Sequence, residues 1–257
     1  MYIWHALLLV GSSFLAGIVN AVAGGGSLFI YPLLLSLGIA PINANATTTF
    51  TVWPGALSSA YGYRKHIKNL PAKYYWLLLP SIIGGLFGAI ILKRTTNHTF
   101  EFIVPWFILL AVCLLALQTN IHRWLYTKKN IQTEKKHWKI LLTFIALGLF
   151  VVSIYGGYFG AGFGIIMLAF LGLTELTDIQ QMNGLKNLAG VSINLVASLY
   201  FIIYRLVDWK ELPLLLVGSI LGGIVGSVYG IKLPGKVVRI IVIATGAVVA
   251  IVLFIKL

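Results

Sequence analysis

The chain has 257 residues, of which 59% are hydrophobic and only 10% are charged, and its formal net charge at pH 7 is +13. Soluble domains carry about 25% charged residues, so this composition excludes an ordinary soluble protein and predicts an all-α polytopic membrane protein. Many basic residues lie in two short segments between apolar runs, 64–73 and 119–139, as expected of cytoplasmic loops that face anionic lipid. This pattern favours the lipid bilayer over nucleic acid as the partner of the charge, and predicts a multi-pass protein of the cell membrane.

Spanning the hydrocarbon core of a bilayer takes a helix of about 20 apolar residues. Eight segments satisfy this requirement and are predicted to span. In chain order they are residues 3–22, 44–63, 74–92, 102–118, 139–156, 179–204, 212–231 and 237–255. Two shorter apolar segments, 25–39 and 162–173, either cross as parts of broken helices or form re-entrant hairpins. The bias of basic residues fits both alternatives.

Each short segment follows a glycine-rich break in an apolar run. The breaks contain Gly24, Gly25 and Gly26 in the first half of the chain, and Gly160, Gly162 and Gly164 in the second. Glycine weakens a helix and frees backbone groups that hydrocarbon cannot satisfy, and paired breaks indicate a substrate site of the transporter type. A helix that begins after a break presents N–H groups and partial positive charge to an anion. Ser27 is predicted to cap the first such helix.

The two halves of the chain are similar in sequence. The Gly-Gly-x-x-Gly pattern that begins at Gly84 recurs 138 residues later at Gly222, and Pro41 and Asp178 correspond at an offset of 137. We therefore predict two structural repeats, residues 1–118 and 139–257, each with four spans plus one short glycine-broken helical segment. Residues 119–138 form a polar cytoplasmic linker between them. The small residues of the Gly-Gly-x-x-Gly pattern are predicted to allow close helix packing.

Lys186 is the one basic residue well inside a predicted span. A lysine at that depth costs a few kcal/mol unless it reaches water, a partner or a bound anion. Asn183, Asn187 and Asn194 share one helix face with Lys186 beside it, which favours an anion-attracting cavity. The alternative is that Lys186 snorkels towards the membrane interface.

Thr47, Thr48 and Thr49 occupy the corresponding stretch of the first half, and the offset of 137 places Thr49 opposite Lys186. Their hydroxyls offer hydrogen bonds to an anion or oxygen ligands to a cation. Alternatively, each hydroxyl bonds to a helical carbonyl one turn back. Asn20 precedes the first break.

The residues predicted to bind the substrate are Asn20, Gly24, Gly25, Gly26, Ser27, Thr47, Thr48, Thr49, Gly160, Gly162, Gly164, Lys186, Asn187 and Asn194. No catalytic residue, metal site or cofactor is predicted. The six acidic residues and five histidines lie near span ends or in loops, and neither a His-Glu-x-x-His nor a Gly-x-Ser-x-Gly motif occurs. The sequence therefore predicts that the protein is not an enzyme.

The residues around the first break resemble the signature of a known family. Residues 16–27, Pro32, 38–41 and 44–47 are similar to the TauE/SafE family of sulfite exporters and sulfonate permeases, and the second half is similar through 186–187, 207–209 and 218–226. The resemblance implies a carrier in the plasma membrane for small organic or sulfur-containing anions, such as sulfite or sulfonates.

From the breaks, the repeats and the resemblance together we expect a secondary transporter of a small anionic substrate that works by alternating access. No nucleotide-binding motif occurs, so the driving force is the substrate's own gradient or that of a coupling ion, proton or sodium. The alternative function is an anion channel or passive permease.

Overall fold

The computed structural model describes residues 3–127, 138–174, 176, 178–229 and 235–256, and within these ranges every regular element is helical. The helices are α1 (Ile3–Val22), α2 (Ser27–Ser36), α3 (Pro41–Gly62), α4 (Arg64–Lys68), a 3-10 helix (Ala72–Leu77), α5 (Leu78–Arg94), α6 (Asn97–Thr127), α7 (Trp138–Tyr158), α8 (Phe163–Gly172), α9 (Ile179–Ile203), α10 (Leu212–Tyr229) and α11 (Gly235–Lys256). The all-α prediction is confirmed for these residues. Residues 128–137 of the predicted linker lie outside them, and residues 119–127 belong to α6.

Among the described residues, four helical segments are both long and apolar enough to cross a membrane: α1, Ala72–Arg94 with α5, α9 and α10. The remaining predicted spans, 44–63, 102–118, 139–156 and 237–255, coincide with α3, α6, α7 and α11. Helix α3 is the most polar of these, since it carries two asparagines and several buried hydroxyl residues. The number of eight spans therefore stays a prediction.

One end of the molecule, named here the Asp208 end, brings together residues from both halves of the chain. The Asp208 backbone N–H donates to the Thr47 hydroxyl at 2.8 Å, and His5 Nε2 lies 2.8 Å from Glu211 Oε2. The first turn of α1 and the second turn of α3 therefore lie beside the segment that joins α9 to α10.

The opposite end, named the His66 end, contains α4 and the start of α9, where His66 Nδ1 lies 3.2 Å from Asp178 Oδ2. Because α3 runs from the Asp208 end to the His66 end, the segments 64–68 and 205–211 lie at opposite ends of the molecule. This arrangement corresponds to the alternative in which these two segments lie on opposite sides, because each short segment takes the chain back towards the end at which the preceding helix began.

Each ten-residue helix folds back along the helix before it. A Cβ on Gly26, just before α2, would collide with the Ala16 carbonyl of α1, and one on Gly148 of α7 would collide with the Phe170 ring of α8. Ten helical residues extend about 15 Å, half of the ~30 Å hydrocarbon core. Thus α2 and α8 reach only from the middle of the molecule to opposite ends, and the glycine breaks lie in the middle.

The Gly-Gly-x-x-Gly patterns of α5 and α10 are sites of close helix packing, as predicted. A Cβ on Gly85 would lie 2.9 Å from Ile193 Cα in α9, and one on Gly223 would collide with the Gly55 carbonyl of α3. Helix α10 packs between α1 and α3, and α5 packs between α7 and α9. Backbone atoms at such distances leave no space for a side chain.

Aromatic side chains surround the second break. The Phe159 ring contacts Tyr31, Phe100 and Phe107 with centroid separations of 5.5, 6.1 and 5.9 Å. The Phe159 side chain is only 3% exposed. Aromatic pairs at these separations contribute about 0.5–1.5 kcal/mol each beyond area burial, so the end of α7 is held against α2 and α6.

Candidate functional site

The two glycine breaks meet in the interior of the protein. A Cβ on Gly24 would lie 2.8 Å from Gly164 Cα, and one on Gly164 would lie 3.1 Å from Gly24 Cα. Gly24 also has a φ of +79°, a backbone conformation that side chains disfavour. Both the contact and the conformation require glycine, so the breaks that the sequence pairs are partners in space.

Asn20 caps the first break. Its Oδ1 accepts hydrogen bonds from the Gly25 N–H at 3.0 Å and the Gly26 N–H at 2.8 Å. The prediction that Ser27 caps α2 is wrong, because the N-cap residue is Gly26 and no side chain of the cap position bonds to the helix. Ser27 is already inside the first turn, past the position from which a cap acts.

Four N–H groups at or just before the start of α2 have acceptors within the chain. Besides the two that bind Asn20, the Leu28 and Phe29 N–H groups donate to the carbonyls of Gly25 and Gly26 at 3.1 and 3.0 Å. An anion at this helix end would have to displace these bonds. The start of α2 is therefore a weaker anion site than its sequence predicts.

Lys186 is 1% exposed, and its ammonium lies at the end of α1. Its Nζ donates to the carbonyls of Asn20 at 3.0 Å and Ala21 at 3.2 Å. Asn187 Nδ2 also donates to the Ala21 carbonyl, at 3.3 Å. Carbonyls in the last turn of a helix lack helical partners and carry partial negative charge. Lys186 thus caps a broken helix and does not snorkel towards an interface.

The charge of Lys186 has no acidic partner among the described residues, where every ion pair involves other basic groups. Its two acceptors are neutral carbonyls, so no negative charge on the described residues compensates a positive charge on this ammonium. Such a charge attracts an anion strongly where the surroundings exclude water.

A cavity of about 10 Å³ lies beside the Lys186 side chain. That is room for about one water molecule. The cavity is lined by Asn20, Gly24, Val52, Ala56, Phe163, Gly164, Lys186, Asn187, Gly190 and Asn194. One wall is therefore polar and positive and the other is apolar. An anion larger than water needs the cavity to widen.

Six of the residues predicted to bind substrate line this cavity: Asn20, Gly24, Gly164, Lys186, Asn187 and Asn194. The other eight do not line it: Gly25, Gly26, Ser27, Thr47, Thr48, Thr49, Gly160 and Gly162. Gly160 and Gly162 form the turn of the second break, with φ of +76° and +75°.

The three threonines follow the second of the two alternatives predicted from the sequence, in which each hydroxyl bonds to its own helix. Their hydroxyls donate to carbonyls one turn back in α3: Thr47 to Asn43 at 2.7 Å, Thr48 to Ala44 at 2.7 Å, and Thr49 to Asn45 at 2.9 Å. This pattern is common for threonine within helices. The Thr47 hydroxyl additionally accepts from Asp208, so it ties two elements together at the Asp208 end.

The apolar lining residues Val52, Ala56, Phe163 and Gly190 were not predicted from the sequence. Gly190 lies midway between Lys186 and Asn194 on the same face of α9, and that spacing is a signal for it. Phe163 follows the second break directly. No comparable signal marks Val52 and Ala56, since apolar residues in a span usually face lipid or pack against another helix.

Within the described ranges, no three histidine, cysteine or acidic side chains come together as metal ligands would.

Comparison with known proteins gives a family over nearly the whole chain. The family model described as "Sulfite exporter TauE/SafE" matches residues 9–253. A probable membrane transporter protein of Haemophilus influenzae is 29% identical over 225 residues, which cover 83% of this chain and 80% of the relative. The probable membrane transporter protein YfcA of Escherichia coli K12 is 26% identical over 250 residues, covering 95% and 88%.

A third relative, the probable membrane transporter protein ORF9 of a Sinorhizobium species, is 27% identical over 253 residues, covering 96% of this chain and 92% of its own length. No solved structure matches the chain significantly.

Proposed function

The chain belongs to the TauE/SafE sulfite exporter family of membrane transporters, and from that premise we propose that it is a secondary transporter of small anions that works by alternating access. Sulfite, sulfonates and related organic anions are the proposed substrates. The observation that carries the proposal is the buried ammonium of Lys186 at the meeting point of the two glycine breaks. A transporter site at paired breaks near the middle of the membrane is the general pattern of such folds.

The cavity suits a single negative charge. Two opposite charges at 4 Å attract by roughly 4 kcal/mol at the effective dielectric of protein sites, and Lys186 has no carboxylate partner among the described residues. The side-chain amides of Asn187 and Asn194 lie on the same wall. The anion would replace a carbonyl of α1 as a partner of Lys186 and accept from these amides.

Alternating access needs a closure at each end of the substrate site. At the Asp208 end His5 of the first half pairs with Glu211 of the second, and at the His66 end His66 of the first half pairs with Asp178 of the second. The cavity lies between the two pairs. Opening the structure at one end would break the pair at that end and leave the other pair in place.

The proposed repeats, 1–118 and 139–257, find support in the helix limits. Helices α2 and α8 both have ten residues, and α1 and α7 end at Val22 and Tyr158, an offset of 136 residues. Helices α3 and α9 begin 138 residues apart, as do α6 and α11, so Lys186 and Thr48, not Thr49, are both the eighth residue of their helix. The opposite directions of the corresponding helices fit inverted repeats.

The basic segments 64–73 and 119–139 give the orientation. Cytoplasmic loops are enriched in lysine and arginine, so the His66 end is proposed to face the cytoplasm, with the protein in the cell membrane. A coupling ion, proton or sodium, supplies the driving force when the substrate gradient is unfavourable.

An anion channel or passive permease is the competing function. The polar wall of the cavity would suit a channel equally well. However, the cavity has room for only about one water molecule, which is too little for an open pore. Coupled ion flux separates the two functions, because a channel conducts its anion without moving a second ion in a fixed ratio.

Lys186→Ala is the sharpest single test of the site. In proteoliposomes offered sulfite, thiosulfate, sulfonates or carboxylates, we expect the wild-type protein to take up at least one of these anions. Lys186→Ala should lower that uptake at saturating anion by about tenfold or more, the equivalent of ~1.4 kcal/mol. Lys65→Ala, which removes a charge from an exposed position near the His66 end, is the matched control and should leave uptake unchanged. Unaltered transport by Lys186→Ala would exclude the charge-capture role.

A further inference from the structure

The C-terminal end of α1 binds the ammonium group of a lysine side chain. Two carbonyls in its last turn, those of Asn20 and Ala21, accept hydrogen bonds from the Lys186 ammonium at 3.0 and 3.2 Å. The carbonyl end of a broken helix, which carries partial negative charge, is thereby satisfied by a positive group from α9.

The end of α7 has the same backbone but no ammonium. Val19 O accepts from the N–H groups of the residues four and five positions on, and Tyr155 O of α7 does the same. By this correspondence Asn20 and Ala21 match Gly156 and Gly157. Both glycines are buried, and among the described residues no hydrogen-bond donor reaches either carbonyl oxygen.

The side chain that corresponds to Lys186 cannot fill this role. Lys186 is the eighth residue of α9 and Thr48 is the eighth residue of α3, and the Thr48 hydroxyl donates to the Ala44 carbonyl at 2.7 Å. A threonine is also too short to reach as a lysine does. The two halves thus differ by one positive charge at matching places.

Asn45 adds an unsatisfied oxygen beside the same helix end. Its Nδ2 donates to the Tyr158 carbonyl, the last of α7, at 2.8 Å. Its Oδ1 is buried without any hydrogen-bond partner, in a residue that is 1% exposed. If the Asn45 amide were flipped, its oxygen would face the Tyr158 carbonyl oxygen, and two acceptors do not bond to each other. The atom without a partner is therefore the side-chain oxygen, an acceptor. Buried acceptors without a partner are uncommon. Asn183 Oδ1 at the corresponding position of α9 is also buried without a partner, so what distinguishes Asn45 is that it lies beside two further carbonyls without a donor.

We propose that a monovalent cation, sodium above all, binds at the end of α7, between the carbonyls of Gly156 and Gly157 and Asn45 Oδ1. This position corresponds to the one that the Lys186 ammonium occupies at the end of α1. All three ligands are neutral oxygens, which suits Na⁺ better than Ca²⁺ or Mg²⁺, because the divalent ions are held chiefly by carboxylates. Carbonyls at the ends of half-helices coordinate Na⁺ in other transporter folds. The role of this ion as the coupling ion rests on the proposed transport function; its binding does not.

Thermal unfolding of the purified protein in detergent tests the site without any transport. With ionic strength held constant, replacing choline chloride by NaCl should raise the Tm with a saturating dependence on Na⁺, since a ligand that binds only the folded state stabilises it. Asn45→Leu should lose this shift. Asn183→Leu, the same change at the fifth residue of α9 where Asn45 is the fifth of α3, is the matched control and should keep it. A Tm indifferent to Na⁺ in the wild-type protein, or an equal shift in Asn45→Leu, would overturn the proposal.

Two further variants keep the test decisive if Asn45→Leu does not fold. Asn45→Asp adds a charged ligand and should lower the half-saturating Na⁺ concentration by about tenfold, or ~1.4 kcal/mol. Thr48→Lys supplies a tethered ammonium and should make the Tm independent of Na⁺. An unchanged Na⁺ dependence in both variants contradicts the site. Anion uptake that fails while the Na⁺ shift persists would count against the transport proposal alone.

Discussion

At the scale of single residues, Asn20 connects the glycine break to the charged site. Its side chain accepts from two N–H groups of the break, and its own carbonyl accepts from Lys186. The break therefore keeps its shape through a polar side chain of α1, and the same residue lines the cavity. Any change at Asn20 affects the geometry of the break or the charge beside Lys186, and the two effects can be separated by substitution.

Asn20→Asp should preserve the fold and impair anion binding. The carboxylate still accepts from the N–H groups of Gly25 and Gly26, so we expect the Tm to change little. Its negative charge, however, lies near Lys186 and competes with the substrate, so the Kd for the transported anion should rise about tenfold or more. Isothermal titration of the purified protein measures this effect.

Asn20→Ala is the control, because it removes the side-chain acceptor and adds no charge. It leaves two partly buried N–H groups without an acceptor, at a cost of about 1–3 kcal/mol each, so we expect a clear fall in Tm. Equal losses of stability in Asn20→Asp and Asn20→Ala would show that the side-chain acceptor is not what holds the break.

At the scale of elements, the helix positions could be predicted from the sequence, but their polar partners could not. Apolar length and glycine breaks gave limits close to those of α1, α9 and α10, since a membrane helix must bury its backbone along its whole length. Lys186 was identifiable as an intramembrane charge. Its partners, Asn20 and Ala21, are 166 and 165 residues away in the sequence, and no local sequence pattern predicts a contact between residues so far apart in the chain.

Close packing of α10 against α3 gives a prediction at this scale. Gly223→Ala places a methyl group against the Gly55 backbone carbonyl, which cannot move aside as a flexible side chain would. Overpacking of this kind costs about 1–3 kcal/mol, so the Tm in detergent should fall by several degrees.

Gly11→Ala is the matched control for that substitution. Gly11 lies in α1 with no atom within 4 Å of its Cβ position, and alanine favours a helix over glycine by up to about 1 kcal/mol. The Tm of Gly11→Ala should stay the same or rise. A fall equal to that of Gly223→Ala would mean that packing between α10 and α3 is not the cause.

At the scale of the whole molecule, the His–carboxylate pairs at the two ends are the proposed closures of an alternating-access cycle. Each pair joins the first half of the chain to the second, and the cavity beside Lys186 lies between them. Loss of one pair should favour opening at that end alone.

Labelling of a cysteine in the cavity tests this directly. In a Cys113→Ser background, Ala56→Cys places a thiol in the cavity lining, and membrane-impermeant reagents are applied from either side of sealed vesicles. We expect His66→Ala to raise labelling from the cytoplasmic side by several-fold and His5→Ala to raise it from the opposite side. Increases from the same side in both variants would contradict two separate closures.

The measurement that bears most directly on the central claim is anion counterflow in proteoliposomes. Vesicles are preloaded with the unlabelled anion and diluted into a trace of the same anion in labelled form. A carrier whose site faces one side at a time exchanges the two, so we predict a transient accumulation of label above its equilibrium level, and we predict that Lys186→Ala abolishes it. Label that rises only to equilibrium, without an overshoot, in the wild-type protein would contradict alternating access.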